Sequence, residues 1–257
     1  VDIHFDCTQC GRCCHNLKLP LSVDEAIRWA GNGHPVQILV EAAPAFEEPA
    51  AGSPERFRFD RSFPAMSGTI PIRVGVILAA SFEGACPHLG PDMLCGDYEA
   101  RPRVCRIYPA EVSPNIELAP AAKACPPEAW SDDHPVLLRG GIATDPALAS
   151  LIEGHRAATL ADVDAKARVC DALGINATAF LNEGYAVHSP EPALLVESLA
   201  MTRLDGTSID DGAQWRFATN RGATLAMLDL VEARAAKTAS GADYIGFFDD
   251  DPDVSPG

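Results

Sequence analysis

The chain has 257 residues and carries 20 Lys and Arg against 36 Asp and Glu, a formal charge of −16. That balance argues against a general nucleic-acid binder, because phosphate repulsion would have to be overcome locally. A hydrophobic fraction of 47% is ordinary for a globular protein and excludes disorder of the whole chain. No apolar run reaches the roughly 18 residues of a membrane span, so none is expected. The start, Val1 to Cys7, has neither a basic n-region nor an apolar h-region, which makes the cytoplasm the expected compartment.

Residues 7–15 open with Cys7-Thr-Gln-Cys10-Gly-Arg-Cys13-Cys14 and read as a compact, turn-rich loop leading into a short helical turn. Neighbouring side chains point in different directions in a helix or a strand, so Cys13 and Cys14 are not expected to serve one small mononuclear site together. Ser22-Val-Asp-Glu25 reads as a capping box opening a helix over Val23 to Ala30, with Gly31 as its stop. Residues 36–41 suggest a short strand, and Glu41 to Glu55 a loop. Ile70, Ile72, Val74, Val76 and Leu78 alternate as a half-buried strand does, with Phe57 and Phe59 as the start of its partner.

Gly84 leads from that strand into a second cysteine block. It comprises Cys86-Pro-His88-Leu, Cys95-Gly-Asp-Tyr98, Arg101-Pro-Arg-Val-Cys105-Arg106-Ile-Tyr108-Pro109 and Cys125-Pro-Pro. Cys95 to Pro109 reads as a turn and a short helix, and Asn115 to Ala119 as one more strand. After about Trp130 the spacing becomes helical. Asp145-Pro146 opens a helix reaching Leu173, with Gly154 as a break point; Ser189-Pro190 opens another through Met201; a third runs from Arg221 to Thr238. Their apolar stripes read as core. The expected fold class is α+β, with a cysteine-cluster metal-binding domain over 1–130 that includes a small antiparallel sheet. A mainly helical domain over 131–257 would follow, ending in an acidic tail after Phe247-Phe248.

Eight of the nine cysteines lie in these two blocks. Thiolates are soft donors that suit zinc or iron–sulfur clusters, and two- and three-residue gaps let neighbouring sulfurs converge. The expected ligands are Cys7, Cys10, Cys13, Cys14, Cys86, Cys95, Cys105 and Cys125. Cys14 stays open between a second centre, a bridge and a buried thiol. A disulfide framework is the competing reading, but such scaffolds are usually small. Cys7, Cys10 and Cys13 have the gaps of a cubane-binding loop with a fourth ligand from far away. Structural zinc more often uses two CxxC pairs. An iron–sulfur cluster is therefore the expected cofactor, with a zinc or iron ion as the alternative. His15 and His88 sit beside cysteines but read as packed or solvated, and Cys170 reads as core. Arg101, Arg103 and Arg106 are a dense basic patch. Arg101, Arg106 and Tyr108 are expected to donate to ligand sulfurs and relieve their charge. The competing reading pairs the arginines with Asp97 and Glu99 and lets Tyr98 and Tyr108 pack.

On these two separated blocks the sequence resembles the CxxCxxCC, or YkgJ-type, cysteine-cluster proteins over about residues 5–126. It departs at Asp97, where that family usually carries Ile or Val before the tyrosine. The resemblance implies a zinc- or iron-chelating domain, and several members are labelled iron–sulfur proteins. A relative, the flagellin lysine N-methylase, shares a similar cluster. No G-x-S-x-G, H-E-x-x-H, P-loop or radical-SAM CxxxCxxC occurs. Three functions follow. The first is a redox metal protein, an iron–sulfur oxidoreductase if it is an enzyme, working with a redox partner. The second is a structural zinc domain whose helical half binds a partner protein, and the third a protein-lysine methyltransferase-like enzyme.

Overall fold

The computed structural model describes residues 1–204, 210–238 and 241–248 of a mixed α+β fold. Strand β1 (Asp2–His4) runs into the cysteine loop, a 3-10 turn at Arg12–Cys14 and β2 (His15–Leu21). Next come α1 (Val23–Gly31), β3 (Val36–Pro44), α2 (Pro54–Asp60), β4 (Ser62–Ser67) and β5 (Ile70–Ala85). The second cysteine block holds one short helix, α3 (Arg103–Ile107), and 3-10 turns at Pro120–Ala122 and Pro127–Trp130. Strands β6 (Val136–Arg139) and β7 (Ile142–Ala143) precede α4 (Pro146–Ala161) and α5 (Val163–Ala172). The remainder is β8 (Ala177–Phe180), β9 (Gly184–His188), α6 (Pro192–Leu204), β10 (Arg216–Ala218), α7 (Gly222–Leu230), β11 (Ala235–Ala236) and β12 (Asp243–Gly246). No described helix is long and apolar enough to cross a membrane.

The chain divides into two compact units, Val1–Ser22 with Ala80–Thr159 and Val23–Ala79 with Leu160–Gly257. In the second unit β11, β10, β8 and β3 are neighbours in that order and run parallel, while β9 pairs antiparallel with both β3 and β12. The alternating run at Ile70–Leu78 is part of β5, whose partner β4 aligns Phe63 with Val74 and Ala65 with Ile72. Val36, Ile38, Val40, Ile72, Val74, Leu78 and Phe217 are fully buried. A β3 with nearly continuous burial is what a strand covered on both faces requires. Helices α1, α5 and α6 pack together beside it.

Several elements differ from the sequence expectation, each for a local reason. Phe57 and Phe59 lie in a helix because Ser53 caps α2, its hydroxyl accepting from the Arg56 amide at 3.2 Å, with Pro54 in the first turn. The long helix after Asp145 breaks at Asp162 rather than Gly154, and the Asp162 carboxylate accepts from the Val23 amide at 2.8 Å, capping α1. The helix at Arg221–Thr238 stops at Leu230. Glu232 then takes a left-handed φ of 56°, and its carbonyl lies where only Gly68 leaves room; a Cβ there would sit 2.0 Å from it. This frees Ala235–Ala236 to pair with β10. Asn115–Ala119 is irregular rather than a strand. Strands β8 to β12 add sheet to the region expected to be mainly helical. The acidic tail from residue 249 lies outside the described residues.

In the first unit a small antiparallel sheet has the order β1-β6-β7, with Asp2 opposite Arg139. Ile107, Ala110 and Leu148 form its core with Val112, Leu137, Leu151 and Ile152. The end of β5 meets the start of β2: the Cys86 amide donates to the Cys14 carbonyl at 2.7 Å, and the Gly84 amide to Asn16 Oδ1 at 2.7 Å. The two cysteine blocks meet at this ladder.

Candidate metal centre

The N-terminal strand fixes the first group of thiols. The Phe5 amide donates to the Pro135 carbonyl at 3.1 Å and the Asp6 amide to the Ala129 carbonyl at 3.0 Å, while the Phe5 and Trp130 rings stack at 4.8 Å. Cys7 is thereby held beside the turn that follows Cys125. Gly11 then turns the chain in the left-handed region (φ 67°), and its carbonyl accepts from the Cys14 amide at 2.9 Å and from His15 Nδ1 at 3.1 Å. Cys13 feels the charges of Cys125 and Cys7, and Cys125 those of Cys7 and Cys10. The Cys125 thiol donates to the Tyr108 hydroxyl at 3.7 Å, which also accepts from the Ala124 amide at 2.9 Å.

A second group forms around the ladder. Cys86 sits on Cys14; the Leu89 amide donates to the Cys86 carbonyl at 2.9 Å, and Leu89 bridges to Cys95. Helix α3, which carries Cys105, packs on β2 directly after Cys14. Cys105 feels the charges of Cys86, Cys14 and Cys95, and Cys86 those of Cys14 and Cys95.

All nine thiols are free; Cys7 is exposed, Cys170 is buried within α5, and the other seven are partly covered. Burial, then the Cys14 charge, pushes the Cys13 thiol up to about 12. Burial, then Cys86 and Cys14, does the same to Cys105, against the opposing Arg101 guanidinium. Cys86 and Cys125 are also raised, chiefly by burial. Cys10 is lowered, first by the Arg12 amide donating to its sulfur and also by the Thr8 hydroxyl. Thiols this crowded resist ionising together unless a cation joins them, so the donor set suits a thiophilic metal. Among the described residues no three His, Cys, Asp or Glu side chains already stand in a metal-holding arrangement.

Residues 6–126, just under half of the chain, match the CxxCxxCC family, described as "Putative zinc- or iron-chelating domain". The match is confined to this stretch. No curated protein and no solved structure matches the chain.

Within the CxxCxxCC domain the basic and aromatic neighbours take different places. Arg101 stacks on the Tyr98 ring at 3.7 Å, and its charge reaches Cys105. Arg106 is exposed on α3, and Tyr108 touches Cys125. Lys123 also acts on Cys125 while pairing with Glu111 at 2.5 Å; its position two residues before Cys125 was the only sequence signal for it. His88 contributes through its backbone, the amide that donates to the Cys86 sulfur. A cavity of about 930 Å³ in the same unit is lined by His4, Glu111, Trp130 and Arg156 and by no cysteine.

Gly11 locks the two blocks of the CxxCxxCC domain together. A Cβ at this left-handed position would lie 2.4 Å from Met93 Cε and 3.5 Å from Leu89 Cδ1. Gly11→Ala is expected to cost about 1–2 kcal/mol in strain and displacement and to weaken metal retention in a chelator competition. Retention equal to wild type would show that this contact does not position the thiols.

Proposed function

We propose that the CxxCxxCC domain holds a thiolate-ligated iron–sulfur centre that exchanges electrons with a protein partner. The supporting observation is the asymmetric cover of the thiols: Cys7 is exposed, while Cys13, which feels its charge, is partly covered and pushed up to about 12 chiefly by burial. Electron transfer needs one reachable edge, and the covered edge shields the sulfurs from bulk water. Such a centre supplies reversible one-electron chemistry. Among the thiols the Arg12 amide donates to Cys10 and the His88 amide to Cys86, Tyr108 meets Cys125 through its hydroxyl, and Arg101 brings positive charge to Cys105. Anaerobically purified protein should show sulfur-to-iron charge-transfer absorption and contain iron with acid-labile sulfide. Colourless protein loaded with zinc would end this reading.

That outcome would support the second reading, a structural zinc domain, which the sparse regular structure between Cys86 and Pro126 favours. The two readings also part at Arg101. A guanidinium near the sulfurs stabilises the reduced, more negative state. Arg101→Gln is expected to lower the potential by on the order of 40 mV, about 1 kcal/mol for one electron. Arg106→Gln, at an exposed position, should shift it less. Protein-film voltammetry reads both, and the absence of a reversible couple in the wild type would leave the metal a staple.

A further inference from the structure

We infer that the cavity of about 930 Å³ in the first unit is a binding site for a small organic cation with an apolar body. Its size lies within the roughly 300–1,000 Å³ of small-molecule pockets. It opens between the β1-β6-β7 sheet, one face of α4 and the irregular loop that follows α3. Leu118 and Leu138 form a buried apolar floor, and the Trp130 indole an aromatic wall. Ile116 and Ile142 line the same cavity at 57% and 74% exposure, so two large aliphatic side chains stay in water at its mouth. A ligand with apolar surface gains free energy by covering them.

Charge fixes the sign of the ligand. Asp2, Glu111, Glu117, Asp132 and Glu153 line the cavity, against Arg156 and His4. Arg139 answers Asp2 at 3.2 Å, and Lys123 answers Glu111. Glu117, Asp132 and Glu153 have no ion-pair partner among the described residues, and they come from three separate segments: the loop, the turn before β6 and α4. Arg156 Nε donates to the Val112 carbonyl at 2.7 Å, and His4 Nδ1 meets the His134 carbonyl at 2.7 Å, so both are tied to backbone. Three unpaired carboxylates around a half-apolar space favour a positive guest. Among the described residues no three His, Cys, Asp or Glu are placed to hold one metal ion, so the charge is spread along the rim and suits an ammonium rather than a divalent metal. Trp130 adds a π face, which attracts cations and packs on aryl groups. The same ring stacks on Phe5, two residues before Cys7, which sets the site behind the cysteine loop. No cysteine lines it, so the site does not rest on the metal reading.

The test titrates the full chain, as purified, with three molecules of similar shape at pH 7: phenethylammonium, 2-phenylethanol and 3-phenylpropionate. By calorimetry the ammonium should bind about tenfold more tightly than the alcohol, and the carboxylate not measurably. Added salt should weaken the ammonium alone. Glu153→Gln should weaken the ammonium about threefold and leave the alcohol unchanged, whereas Ile142→Ser should weaken both. Both positions are exposed, so neither variant removes a core contact. Equal affinity for ammonium and alcohol, a preference for the carboxylate, or affinities untouched by either substitution would each overturn the assignment. So would the absence of heat and of saturation-transfer signal from all three probes at millimolar concentration. Metal content and the visible spectrum are read on the same samples, so the chelating reading stands or falls separately.

Discussion

Stripping metal from the full chain is expected to abolish amide protection across residues 86–126 while Val36–Leu78 and Ala177–Phe180 keep theirs. The two regions differ in what holds them. From Cys86 to Pro126 the regular structure is a five-residue helix and a three-residue 3-10 turn. Its buried aliphatic side chains are Ile107, Ala110 and Leu118. Ordering a residue costs about 1–2 kcal/mol, and burying a large aliphatic side chain returns about 1.5–3 kcal/mol, so this stretch cannot hold its shape by apolar burial. Thiolate–metal bonding is the term large enough to do so, at about 10–16 kcal/mol for structural zinc. The strands at Val36–Leu78 have Ile38, Val40, Ile72, Val74 and Leu78 in their core instead. Cys105→Ser is expected to lower bound metal and soluble yield together. Cys170→Ala, in the core of α5, should leave metal content unchanged. Hydrogen exchange with and without a chelator reads the result, and equal protection of 86–126 in both states would refute the coupling of metal to folding.

What was legible in the sequence follows from where the physical cause is local. The cysteine blocks announce themselves by residue type, and β5 by a period of two that burial enforces at Ile72, Val74 and Leu78. The α+β class and the small antiparallel sheet are likewise as expected. Short strands were invisible because their partners are remote. Ala177–Phe180 is four residues long and becomes a strand only between β3 and β10. The break at Asp162 was hidden for the same reason, since it depends on the Val23 amide 139 residues away. In the cysteine blocks the residue types were readable. Their grouping was not, because it depends on contacts such as Asp6 with Ala129 that no spacing rule encodes. Lys123 escaped notice as an ordinary lysine in a loop.

Lys166→Met is expected to stabilise the protein by about 3 kcal/mol at neutral pH, with the gain vanishing as the solution becomes alkaline. Lys166 lies on α5 at 5% exposure, and burial holds its amine down to about 8 from an ordinary 10.5. Asp162 opposes the effect, Arg61 adds to it, and Cys170 contributes a weak opposing influence. Below pH 8 the amine is protonated in both folded and unfolded chains, so the folded state bears the full cost of a buried charge. Between about 8 and 10.5 the folded protein sheds the proton first, the unfolded chain binds more protons, and stability rises with pH. Above that window both states are neutral and the cost is gone. Methionine keeps the length and apolar stem without the charge, so it removes the cost at every pH. The cysteines are common to both proteins, so what they contribute cancels in the difference. Urea unfolding of wild type and variant at pH 7, 9 and 10.5, with metal saturating, gives that difference directly. A gain that stays constant across the series would show that shape at position 166, and not the buried ammonium, sets the effect.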